Sequence, residues 1–169
     1  SIAGGRLSLA VVCRQTAIGL IDEICTGAVR SHFQSGPWLE AVADAFEDEA
    51  EPLFLAGYEG ETCRILLPLA VSRRHGLRRI GWLGQAVADY NLPLCDSEFF
   101  RALSDDDVHA LWREAARLAG GADVVLARKQ PVTVADVANP FAAFAAGLES
   151  DRAHLRLLLR PWAEIEAEL

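Results

Sequence analysis

Asp89, Tyr90 and Asn91 set a carboxylate, a phenol and an amide side by side between apolar residues. They fall in the stretch from Ile80 to Leu94, Ile-Gly-Trp-Leu-Gly-Gln-Ala-Val-Ala-Asp-Tyr-Asn-Leu-Pro-Leu. This stretch begins as a buried strand, carrying Ile80, Trp82 and Leu83 around Gly81 and Gly84, and ends as a polar loop bounded by Pro93. A glycine inside a strand marks a bulge or a close backbone approach. A loop leaving a central strand is a common place for a binding site, which makes these three residues the substrate-contact candidates. The same residues equally suit a structural role, with a buried Tyr90 hydroxyl and with Asp89 and Asn91 making turn hydrogen bonds.

Other reactive side chains are scattered. Cys13, Cys25, Cys63 and Cys95 form no C-x-x-C pair, and His32, His75, His109 and His154 lie at no ligand spacing from them. No metal site is expected, and free, mostly buried thiols in a reducing cytoplasm are the expectation. No catalytic residue is nominated by spacing. Arg73, Arg74, Arg78 and Arg79 form the one dense basic patch, which reads either as a solvated hairpin tip or as an anion site. Trp38 lies on an apolar helix stripe, which favours core over a ligand platform.

The elements that must hold these groups follow from pattern. Arg6 to Val12 alternates and predicts a strand; Thr16 is placed to cap a helix carrying Ile18, Ile21, Ile24, Cys25 and Ala28. Ser35-Gly36-Pro37 predicts a second helix start, with Trp38, Ala41, Val42, Ala45 and Phe46 on the buried stripe and an acidic end at Glu47, Asp48, Glu49 and Glu51. Leu53–Tyr58, Thr62–Ser72 and Leu77–Gly84 predict three strands, the first two joined by a Glu59-Gly60 hairpin. Pro68 places the middle one at an edge or a bulge. Ser104 caps a helix opening on Asp105, Asp106 and Asp107 and ending at Gly120-Gly121, and a short strand follows over Ala122 to Ala127. Asn139-Pro140-Phe141 reads as a connection with an apolar anchor, His154 to Arg160 as a strand, and Pro161 to Leu169 as the start of a helix.

Composition bounds the function. A chain of 169 residues with 51% hydrophobic residues can build a sizeable core. A net charge of −8 disfavours nonspecific binding to nucleic acid, and no apolar run approaches the ~20 residues of a membrane helix. No signal peptide is visible and the expected location is cytoplasmic, although the chain opens at Ser1 rather than on a methionine.

The fold class implied is α/β (α+β), with strands and helices that do not alternate strictly. The order resembles the GNAT acyltransferase fold, a mixed, mostly antiparallel sheet flanked by helices. The motifs Phe33-Gln34-Ser35-Gly36-Pro37-Trp38-Leu39, Leu67-Pro68-Leu69 before the arginine-rich turn, and Gly81-Trp82-Leu83-Gly84 followed by Asp89-Tyr90-Asn91-Leu92-Pro93-Leu94 resemble the cellulose-biosynthesis (CelD-like) acetyltransferase branch. That branch is similar to the Fem-type aminoacyltransferases, which have tandem GNAT-like halves. The resemblance implies residues 1–150 as an N-terminal GNAT-like half and residues 151–169 as the start of a truncated second half, which would be its partner. It implies acyl-CoA as cosubstrate of the complete protein, with a small-molecule or glycan-precursor acceptor of a polysaccharide or the cell envelope. It places acceptor contact at Asp89, Tyr90 and Asn91. The pyrophosphate cradle of the family, Gln/Arg-x-x-Gly-x-Gly/Ala, has no counterpart between Gln85 and Ser104, so this half is expected to hold no acyl-CoA. The alternative is a non-catalytic GNAT-like structural module.

Overall fold

The structure, a computed structural model, describes residues 2–24, 32–134 and 137–144. Cys25, Ala28, the region 145–150, the strand expected at 154–160 and the whole of 151–169 lie outside the described residues.

The alternating segment forms β1 (Leu7–Val12), followed by α1 (Arg14–Ile24), α2 (Gly36–Ala45), β2 (Glu51–Glu59), β3 (Thr62–Arg74) and β4 (Leu77–Trp82). Then come β5 (Leu94–Cys95), α3 (Ser97–Ala102), α4 (Asp105–Leu118), β6 (Val124–Leu126), the small hairpin β7 (Thr133–Val134) and β8 (Val137–Ala138), and α5 (Pro140–Phe144). The main sheet runs in the order β1-β2-β3-β4-β6, with β5 also pairing β3. All its pairs are antiparallel except β4 with β6, which α4 joins as a parallel crossover. This is the mixed, mostly antiparallel sheet flanked by helices expected from the sequence, and β2, β3 and β4 are consecutive antiparallel neighbours.

The centre of the sheet is buried on both faces. Leu55, Leu67, Leu69, Ile80 and Trp82 face one layer, formed by Phe99 and Phe100 of α3, Leu111 and Trp112 of α4, and Phe141 of α5. Phe54, Ala56, Leu66 and Leu94 face the other, formed by Ala17 and Ile21 of α1 and Leu39, Val42 and Ala43 of α2. Continuous apolar runs such as Ile65 to Leu69 follow from this double covering. The expected packing of α4 through Leu111 and Trp112 is present, and Phe141 is the apolar anchor, 1% exposed.

Three local expectations are corrected. The buried face of α2 carries Gly36, Leu39, Val42 and Ala43; Ala41 and Ala45 are exposed, and Trp38 is only half-buried. Burial there is decided by packing on β2 and α1, which selects the stripe one position round from the predicted one. Thr16 lies inside α1, which starts at Arg14 directly after Cys13. Pro68 lies neither at an edge nor at the bulge, which falls at Gly57/Tyr58.

Instead, Pro68 occupies a fork. On one side β3 pairs β2 throughout, with Phe54 opposite Pro68. On the other, β4 pairs Leu69 to Arg74 and β5 pairs Ile65 and Leu66. The Pro68 carbonyl accepts from Leu83 N at 3.0 Å, so its backbone polar side faces the fork. The N–H that proline lacks is therefore missing where the partner strands part, and the β2 ladder loses nothing.

Candidate functional site

A cleft of about 290 Å³ runs along β3 and β4, from the hairpin end at Arg73, Arg74 and Arg79 to the carboxyl ends of the parallel strands β4 and β6. Its floor lies on paired strands, with Ala70 opposite Gly81 and Ser72 opposite Arg79. Phe46, Glu49 and Ala50, at the end of α2, form one wall; Gln85 and Ala86 close one end, with Leu126 and Arg128 beside them. Ligands of open α/β sheets bind outside the carboxyl ends of parallel strands, and one end of this cleft, at Gln85, Leu126 and Arg128, reaches such a place.

Gly81 is a close approach. A Cβ there would lie 2.8 Å from the Leu126 carbonyl oxygen and 2.6 Å from Gln85 Nε2. The glycine thus lets β6 and the Gln85 side chain close over the strand. Gly84 has φ +70°, the left-handed conformation that turns the chain from β4 into the loop. Val87 N and Ala88 N both donate to its carbonyl, at 3.0 and 2.9 Å.

Lys129 fastens the outer part of this loop. Its Nζ donates to the carbonyls of Ala88 at 2.6 Å and Ala86 at 3.3 Å, from a backbone at φ 55°. Asn91 completes the clasp: its N donates to Lys129 O and its Nδ2 to Arg128 O, both at 3.1 Å. Asn91 is 3% exposed, and this gives it a structural task. Tyr90 is half-buried, with its carbonyl accepting from Gln34 Nε2 at 3.4 Å, and Asp89 is exposed. None of the three lines the cleft, which instead takes Gln85 and Ala86 from the same loop.

The arginine patch divides. Arg78 turns to the end of α4: its backbone N donates to Asp123 Oδ2 at 2.7 Å and its guanidinium to the Ala119 carbonyl. Arg73, Arg74 and Arg79 line the cleft and are joined by Arg128. Sequence reasoning missed Gln85, Arg128 and Lys129. The position of Arg128 just beyond a short parallel strand was the available signal.

Both helix starts in the connection from β4 to α4 are occupied by the chain's own side chains. Asp96 caps α3, accepting from Glu98 N at 3.1 Å and Phe99 N at 2.9 Å. Ser104 and Asp107 form a reciprocal capping box on α4, where Asp105 and Asp106 add further negative charge. These starts are poor seats for a pyrophosphate, because Asp107 N, Glu98 N and Phe99 N are already engaged and the carboxylates repel it.

Among the described residues, no group of three or more His, Cys, Asp or Glu side chains could hold a metal ion, and no helix is long and apolar enough to cross a membrane. Of the described cysteines only Cys95 is buried, which corrects the expectation of mostly buried thiols; Cys63 is half-buried and Cys13 exposed. Cys13 Sγ lies 3.1 Å from Thr16 Oγ1, and that hydrogen bond holds its pKa below the ordinary thiol value. Burial pushes Cys63 up to about 11 and Cys95 well above the usual range. The thiolate is the reacting form, so Cys13 keeps its reactivity at lower pH than the other two. Iodoacetamide is expected to alkylate Cys13 before Cys63 and Cys95, and Thr16→Val should move the pH midpoint of that reaction upward. Equal rates at Cys13 and Cys63, or an unmoved midpoint, would refute this.

No family model matches the sequence, and no curated protein matches it. Among solved structures, the chain is similar to an aminoglycoside acetyltransferase from an uncultured soil metagenomic sample, determined in complex with sisomicin. The identity is 10% and the TM-score 0.49, over 93% of this chain and 99% of that one. A likeness at that level assigns this chain no substrate.

Proposed function

We propose that this chain is the acceptor-binding half of a GNAT-type, acyl-CoA-dependent acyltransferase acting on a polysaccharide or cell-envelope precursor. One observation carries the reading. The sheet offers a cleft along β3 and β4 that reaches the carboxyl ends of its parallel pair, while both helix starts in the β4–α4 connection, where the donor's pyrophosphate would rest, are self-capped. In this reading the acyl donor belongs to a second GNAT-like half, and this half supplies position. Holding an amine or hydroxyl at a fixed place and angle is itself a large part of the catalysis of acyl transfer. In this reading Asp89 and Tyr90 touch the acceptor from the outer edge of the loop, and Asn91 holds that loop in place.

Calorimetric titration of acetyl-CoA into the purified chain tests the assignment. We expect no saturable binding in the micromolar range, and saturable binding there would overturn it. In the complete protein, Tyr90→Phe should weaken acceptor binding without lowering the melting temperature. A loss of about 1 kcal/mol of stability with normal activity would instead mark the hydroxyl as structural.

A further inference from the structure

Arg73, Arg74, Arg79 and Arg128 converge on one cleft, and none of them has an ion-pair partner among the described residues. Arg79 Nε is buried and makes no hydrogen bond to the described chain, and the same is true of Gln85 Oε1 across the cleft. A buried guanidinium donor without an acceptor is costly unless a ligand supplies one. The chain carries a net charge of −8, so four unpaired arginines on one concavity are a local concentration against the overall sign.

Building on the acceptor-half reading, we propose that this cleft binds a small phosphomonoester, of sugar-phosphate size, as part of the acceptor. Three features select that class. A phosphate monoester carries about −1.5 to −2 charges and three strong acceptor oxygens, which suits several guanidinium forks; a lone carboxylate would leave most of them uncompensated. The cleft, about 290 Å³, stands at the lower end of the ~300–1,000 Å³ usual for ligand pockets, which fits a sugar phosphate better than a nucleotide. Glu49 and Gln85 line the same space and can accept hydrogen bonds from hydroxyl or amino groups beyond the phosphate.

The acidic end of α2 limits the set of arginines that act. Arg73 also faces the neighbouring groove lined by Glu47, Asp48, Glu49 and Glu51, so it is shared with those carboxylates. Arg74, Arg79 and Arg128 are left to the ligand, with Arg79 innermost.

The test is calorimetric titration of glucose 6-phosphate into the full chain, with inorganic phosphate, glucose and coenzyme A as separate arms. Glucose 6-phosphate should bind saturably, inorganic phosphate should displace it, and glucose should not. Arg79→Gln and Arg128→Gln should each weaken binding about tenfold or more, while the melting temperatures stay near that of the parent. Failure of both glucose 6-phosphate and inorganic phosphate to bind the folded chain overturns the inference and leaves the acceptor-half reading standing. Binding that neither substitution weakens overturns it as well. Displacement of glucose 6-phosphate by coenzyme A through the same arginines would place the donor's phosphate here, overturning both this inference and the acceptor-half reading.

Discussion

Trp82→Ala is expected to lose about 3–5 kcal/mol of unfolding free energy, the usual cost of emptying a large aromatic site. Trp82 closes β4 and is 2% exposed. Its ring meets Trp112 edge-on at 5.3 Å and 77°, and Phe141 at 5.9 Å and 59°. It therefore ties the central sheet to α4 and to α5 at once, and each aromatic pair adds roughly 0.5–1.5 kcal/mol beyond buried area. Domains of this kind have about 5–15 kcal/mol in total, so this one side chain carries a large fraction of the whole. Trp82→Phe is the control. Trp82 Nε1 is buried without a hydrogen-bond partner among the described residues, so exchanging indole for phenyl removes no bond. Its cost should stay below about 2 kcal/mol. Urea denaturation of both variants decides the matter, and an alanine variant no weaker than the phenylalanine one would show that the ring is not the joint described.

Gly81→Ala should destabilise by about 1–3 kcal/mol and weaken the cleft in the same step. The added methyl would stand 2.6 Å from Gln85 Nε2, the end of a side chain that can swing away. It would also stand 2.8 Å from the Leu126 carbonyl, which cannot, because Leu126 is the direct parallel partner of Gly81. Relief requires β4 and β6 to separate where the cleft begins. Gly19→Ala supplies the contrast of sign. Gly19 lies in α1, where a Cβ meets nothing within 4 Å, and the same substitution there should stabilise by about 0.5–1 kcal/mol. Equal effects at the two positions in thermal melts would rule out the close approach as the cause.

The sequence was readable where structure is local. β2, β3 and β4 announce themselves by alternating or continuous apolar runs with turn residues between them, and the capping box of α4 is spelled out by Ser104 and Asp107. It was unreadable where neighbours decide. β5 is a two-residue pairing and α3 a single short helix, and neither is long enough to show a periodicity of its own. The buried face of α2 depends on what packs beneath it, so Leu39 and Ala43 displaced the predicted Ala41 and Ala45. The cleft draws on α2, β3, β4, the following loop and the end of β6, and no periodicity brings Arg128 to Arg79. Asp89, Tyr90 and Asn91 stood out because they are polar residues among apolar ones. For Asn91 the physical reason is a buried pair of backbone hydrogen bonds to the segment after β6.

The fork at Pro68 has a consequence for chain entropy. The excursion from Leu83 to Pro93 leaves one strand and returns to the same strand, so its two ends are pinned only a few residues apart on β3. Closing such a loop depends weakly on its length, about 0.6 kcal/mol for each doubling. Proline meanwhile denies the amide that would let either partner zip past the junction, so added residues cannot be absorbed by creep of the ladder. Length in this excursion is thus cheap in chain entropy and insulated from the sheet, and its cost falls on the clasp made by Lys129 and Asn91. The fold can vary the segment that closes one end of its cleft while the sheet beneath keeps a single register.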